Sequence, residues 1–65
     1  MKTSSIYIYT PHGSRSATRV AEVRYRGKLL QEWYGFEEPK LLDIARKWSS
    51  DQGFRGTKVF YVVGG

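Results

Sequence analysis

Along this 65-residue chain the apolar positions change period as the sequence advances, and each change predicts an element. The first stretch, Ser5-Ile6-Tyr7-Ile8-Tyr9-Thr10, is β-branched or aromatic at almost every position and stops at Pro11, which predicts a strand. Ile6 and Ile8 fall on one face of it and Tyr7 and Tyr9 on the other, so both faces are apolar enough to require cover, as in a central strand. Pro11-His12-Gly13-Ser14-Arg15-Ser16 is a turn-forming cluster. From Thr18 to Arg26 the residues alternate: Arg19, Ala21, Val23 and Tyr25 point one way, and Val20, Glu22, Arg24 and Arg26 the other. This predicts a second, half-buried strand. Arg26-Gly27-Lys28 then provides the glycine of a tight hairpin, and Leu29-Leu30-Gln31-Glu32-Trp33-Tyr34 returns as the third strand.

After Gly35 the period becomes helical. Glu37-Glu38-Pro39 opens a helix with acids near its positive end and proline in its first turn. Leu41, Ile44, Ala45 and Trp48 fall at i, i+3, i+4 and i+7 on one face, widened by Leu42, with Lys40, Asp43, Arg46 and Lys47 largely off it. The helix should fade between Ser50 and Gln52 and stop at Gly53. Beyond Phe54-Arg55-Gly56 and Thr57-Lys58, the run Val59-Phe60-Tyr61-Val62-Val63 is apolar on both faces, as in a buried strand. The order β-β-β-α-β predicts one α+β domain over residues 1–65, with a four-stranded mixed sheet and one helix packed on one face. The helix can serve as a crossover that brings the last strand parallel to the first, which would place the two most apolar strands in the middle.

Composition narrows the chemistry. There is no cysteine, so disulfides and cysteine-based zinc sites are excluded, and the single His12 cannot form a metal cluster without carboxylate partners. No apolar run is long enough to span a bilayer, and Met1-Lys2-Thr3-Ser4-Ser5 is too polar for a signal peptide. The expectation is a cytoplasmic protein without membrane contact. The net charge of +5 is carried by the first 28 residues, where Lys2, Arg15, Arg19, Arg24, Arg26 and Lys28 face only Glu22; in the remainder bases and acids cancel. An anionic partner is thereby suggested.

Ile6-Tyr7-Ile8-Tyr9-Thr10, Gly13-Ser14, Ala21-Glu22-Val23-Arg24-Tyr25-Arg26-Gly27-Lys28, Tyr34-Gly35, the amphipathic helix and Lys58-Val59-Phe60-Tyr61-Val62 together resemble the first half of a ribonuclease H domain. The resemblance implies a truncated ribonuclease H-like fold with strand order 3-2-1-4 and the last strand parallel to the first. That family cleaves RNA with two metal ions held by clustered carboxylates. The first acid belongs after Thr10, where this chain has Pro11-His12. The second belongs in the first helical turn, where Lys40 is the closest match and Glu37 and Glu38 come slightly early; the third belongs at Val63 or Gly64. Hard divalent ions need several oxygen ligands, so a two-metal site is not expected. The chain also stops before the later elements of the nuclease. The resemblance therefore implies a non-enzymatic relative, and inactive shortened folds of this kind among antitoxins provide a functional precedent, although those usually carry a separate DNA-binding segment. A weaker similarity links the hairpin Val23-Arg24-Tyr25-Arg26-Gly27-Lys28 to three-strand-plus-helix DNA-binding modules such as plant ethylene-response factors and integrase arm-binding domains, which do not usually need the final apolar strand.

The candidate nucleic-acid-binding residues are Arg15, Arg19, Arg24, Arg26 and Lys28, with the rings of Tyr7 and Tyr9 beside them, because basic groups interleaved with aromatics suit a phosphate backbone with stacked bases. A solvated strand face that keeps a small protein in solution explains the same residues. The loop from Pro11 to Ser16 could hold an anion through backbone N–H groups, hydroxyls and Arg15, or be only a turn. His12 has no partner for catalysis at a recognisable spacing. Trp48 is expected in the core; Trp33, Tyr34 and Tyr61 are candidate interface residues. One helix covers one face of the sheet, so a homodimer or a cognate protein is expected to cover the other, with stacked bases covering it in part. Two functions remain: a small regulatory binding protein that holds nucleic acid through its basic hairpin, or a protein-interaction, antitoxin-like module. Neither calls for a cofactor or a small-molecule substrate.

Overall fold

The computed structural model describes residues 2–11 and 18–62. Its elements are β1 (Ser4–Tyr9), β2 (Arg19–Tyr25), β3 (Lys28–Gly35), α1 (Glu38–Asp51) and β4 (Thr57–Tyr61), in the expected order. They form a four-stranded mixed sheet ordered β3-β2-β1-β4, in which β1 pairs antiparallel with β2 and parallel with β4. The β2–β3 hairpin closes through Arg26 and Gly27, both at positive φ (54° and 79°). Such a two-residue turn matches the twist of its strands. A bulge between Val23 and Arg24 shifts the register on β3, and Leu30 packs against the core there.

The core lies between the sheet and α1. Ile6 and Ile8 of β1, Ala21 and Val23 of β2, and Leu41 and Ala45 of α1 are buried together, with Leu30, Trp33, Leu42, Trp48 and Val59 packed around them. Each large apolar side chain so buried contributes about 1.5–3 kcal/mol. Trp33 and Trp48 meet edge to face, with ring centroids 5.8 Å apart. Under the last turns of the helix, the Ser4 hydroxyl donates to Ser49 Oγ at 3.0 Å, which satisfies two fully buried polar groups.

Several expectations change. The buried line of α1 runs through Leu41, Ala45 and Ser49, while Ile44 is 46% exposed on its flank. The i, i+4, i+8 positions set the contact line, and a serine takes the place on it that hydropathy alone would not assign. Pro39 does lie in the first turn, and Gly53, at φ 93°, follows the helix end. The strand β2 is buried on both faces at its centre, not on one. By contrast β4 is an edge strand, so β1 and β2 occupy the middle and Phe60, Tyr61 and Val62 are exposed. The helix packs over β1, β2 and β3 more than over β4, and no described element covers the other face, which is why this apolar strand remains largely uncovered. Val63 lies outside the described residues, as do His12 through Ser16 of the predicted turn.

Candidate nucleic-acid interface

Side chains alternate across a strand, so the register defines what shares the face away from α1. One row across it holds Lys58, Ser5, Arg24 and Leu29, and the next Phe60, Tyr7, Glu22 and Glu32. A third holds Tyr9, Val20 and Tyr34. Among the described residues no element covers these rows. Tyr7 and Phe60 stack across β1 and β4 with centroids 5.1 Å apart and planes 18° from parallel. Tyr34 is 62% exposed.

At the centre of this face Glu22 is only 8% exposed. The Tyr9 hydroxyl donates to its Oε1 at 2.5 Å, and Arg24 Nε donates to its Oε2 at 3.0 Å. The hydrogen bond to Glu22, then burial, then the Glu22 charge push the Tyr9 hydroxyl from its ordinary 10 up to about 12. Arg24 also donates to the Gly27 carbonyl at 3.3 Å, so its guanidinium ties the strand to its own turn.

The remaining predicted site residues separate. Arg26 is not on the strand face of Arg24; it occupies the turn, with its guanidinium carbon 5.4 Å from the Tyr25 ring centroid. Lys28 is the first residue of β3, opposite Tyr25, and is exposed. Arg19 lies at the far end of β2, donating to Thr10 Oγ1 at 2.7 Å and standing 3.8 Å from Glu38 Oε2. Tyr7 and Tyr9 do share the face of Arg24. Trp33 faces the helix, against Trp48, whereas Tyr34 and Tyr61 are exposed. Arg15 and His12 lie outside the described residues.

The fold gathers further bases beside the hairpin. Parallel pairing sets the start of β4 next to the start of β1: Arg55 N–H donates to the Lys2 carbonyl at 2.9 Å, and Lys58 pairs with Ser5. The Tyr25 ring meets Phe54 at 5.2 Å, which ties the hairpin tip to the chain leaving α1. Lys2, Arg26, Lys28, Arg55 and Lys58 therefore converge on one end of the molecule, with Arg46 on the last turns of α1 close by. Asp51 is the acid nearest this end along the helix. The opposite end carries Glu37 and Glu38, matched by Lys40 at 3.1 Å and Arg19. Lys2, Arg46, Arg55 and Lys58 were not singled out in the sequence. Parallel pairing of the first and last strands was the signal that could have found Lys2 and Lys58, since it places their starts side by side.

Among the described residues no three His, Asp or Glu side chains gather where a metal ion could be held, and no helix is long and apolar enough to cross a membrane. Fold and surface together define an α+β protein with one covered and one open sheet face and a basic end. No family model matches this chain, and no curated protein or solved structure matches it.

Proposed function

We propose that this protein is a non-catalytic, regulatory nucleic-acid-binding protein of ribonuclease H-like fold, which acts by occupying its target. The observation that carries the reading is the convergence of Lys2, Arg26, Lys28, Arg55 and Lys58 from separate parts of the chain onto one end, beside the row of Lys58 and Arg24. Phosphates on that end would leave the bases next to the Tyr7–Phe60 stack and the ring of Tyr9. Arg24 contributes less free charge than expected, because Glu22 already accepts from it. Strand order with β4 parallel to β1 supports the ribonuclease H-like reading. Pro11 after β1 and Lys40 in the first turn of α1 support the non-catalytic one, since they stand where metal-binding acids would be needed.

Replacing Arg26, Lys28 and Lys58 together with Gln should weaken oligonucleotide binding and flatten its salt dependence by roughly 0.7 in log–log slope per lost phosphate contact. Unchanged affinity and slope would remove the nucleic-acid reading. A second reading, a protein-interaction module built on a homodimer or a cognate, antitoxin-type partner, is favoured by the exposed Phe60, Tyr61 and Val62 along the free edge of β4. Solution mass separates the two: a dimer indifferent to oligonucleotide supports the second, and a monomer that grows on adding it supports the first.

A further inference from the structure

Where α1 meets the connection to β4, a shallow cleft of about 490 Å³ is lined by Arg46, Ser50, Phe54, Arg55, Gly56 and Thr57. We propose that this cleft is a phosphate-binding site. It goes beyond the reading above by adding Arg46, Ser50 and Thr57 as a separate phosphate site, and it shares with that reading Arg55 and, through the Phe54–Tyr25 contact, the edge of the hairpin.

Its walls are set by backbone bonds. The chain leaves the helix through Gly53 N–H to the Ser50 carbonyl and Phe54 N–H to the Ser49 carbonyl, both at 3.0 Å. It is then pinned at Arg55, whose N–H donates to Lys2 O at 2.9 Å and whose carbonyl accepts from Thr3 Oγ1 at 3.4 Å. The Arg55 backbone is therefore fixed while its exposed side chain is left for a ligand. Arg46 and Ser50 are four residues apart and share one helix face, which turns both toward the cleft.

The lining is chemically one-sided. It contains two guanidinium groups, two hydroxyls and an aromatic ring, and no acid. Among the described residues neither Arg46 nor Arg55 has a carboxylate partner, whereas Arg19, Arg24 and Lys40 each have one. A helix C-terminus opposes an anion, but here the Trp48, Ser49 and Ser50 carbonyls each accept an N–H from the turn, which engages their partial charge. Paired guanidinium forks match the oxygens of a phosphate, the hydroxyls of Ser50 and Thr57 add donors, and the Phe54 ring offers a flat surface to whatever the phosphate carries. The shared ligand chemistry is a phosphate ester, which either a mononucleotide or a strand supplies.

Backbone amide NMR on the full chain tests this, with titrations of inorganic phosphate, adenosine monophosphate and a 5′-hydroxyl oligonucleotide at constant ionic strength set by chloride. Saturable shifts at Ser50, Gly56 and Thr57 are expected with adenosine monophosphate, weakened about tenfold or more by Arg46→Gln with Arg55→Gln and untouched by Lys40→Gln at the opposite end. Cleft shifts with the oligonucleotide as well assign the phosphate to a strand. Cleft shifts with the mononucleotide alone, and no oligonucleotide binding anywhere, keep the site and remove the nucleic-acid reading. Oligonucleotide binding that leaves the cleft silent to all three ligands, or shifts no different from those of chloride, overturns the site.

Discussion

The two faces of one sheet bury their centres by different means. On the covered face Ile6, Ile8, Ala21 and Val23 lie under α1, and a second layer of secondary structure excludes water. On the open face Val20 and Glu22 are as good as buried without any second layer among the described residues. Val20 is flanked in register by Tyr9 and Tyr34, and Glu22 by Tyr7 and Glu32, with Tyr9 and Arg24 bonded to its carboxylate. Long side chains on the sheet itself do there what the helix does on the other side. The result is an aromatic surface, around Tyr7, Phe60 and Tyr34, that lies open without exposing the core among the described residues.

If that contrast holds, truncation should be most costly beneath the helix. Ile6→Ala is expected to lose about 2–5 kcal/mol, a large share of the stability of so small a protein, as read by urea unfolding. Ser49→Ala should lose about 1–3 kcal/mol, because it strands the buried Ser4 hydroxyl, and Ser4→Ala added to it should restore part of the loss. On the open face Val20→Ala should cost less, about 1–2 kcal/mol, since the flanking tyrosines can settle into the vacated space from the solvent side. Equal losses for Ile6→Ala and Val20→Ala would erase the distinction between the faces.

The polar centre of the open face makes a pH prediction. The folded-state value of Tyr9, about 12, lies above its ordinary 10, so folding favours the protonated hydroxyl. The stabilisation is therefore complete below pH 10 and is lost as pH rises through about 12. Wild-type stability should fall over that window by more than that of Tyr9→Phe, and Glu22→Gln should bring the phenolate absorbance of Tyr9 back toward pH 10. The smallest effect is expected at the hairpin tip. Arg26 sits at φ 54°, and Arg26→Asn should stabilise the turn by about 0.5–1 kcal/mol while weakening oligonucleotide binding, two readouts that move in opposite directions.

Much of this architecture is legible in one dimension, because local periods and turn residues report local geometry. Alternation from Arg19 to Tyr25, glycine at 27, and proline and acids ahead of Leu41 state the hairpin and the helix directly. Two features escape such a reading. Ser49 joins the helix contact line only because Ser4 lies opposite it, and a polar residue with a buried partner looks like any exposed one. The apolar run ending β4 reads as interior, yet its position at the sheet edge depends on which side of β1 it takes.

The same division runs through the candidate sites. The sequence by itself determined the element order, the hairpin and the basic character of the first half, since composition and short-range pattern suffice for these. Only the tertiary structure decided that, among the described residues, Lys2, Arg26, Lys28, Arg55 and Lys58 gather at one end of the molecule while Arg19 and Lys40 are matched by acids at the other. Parallel pairing of β1 with β4 brings Lys2, Arg55 and Lys58 to the hairpin, because contacts between residues this far apart in sequence are made by the fold alone, and the same pinning of Arg55 to Lys2 fixes the far wall of the cleft that the turn after α1 begins.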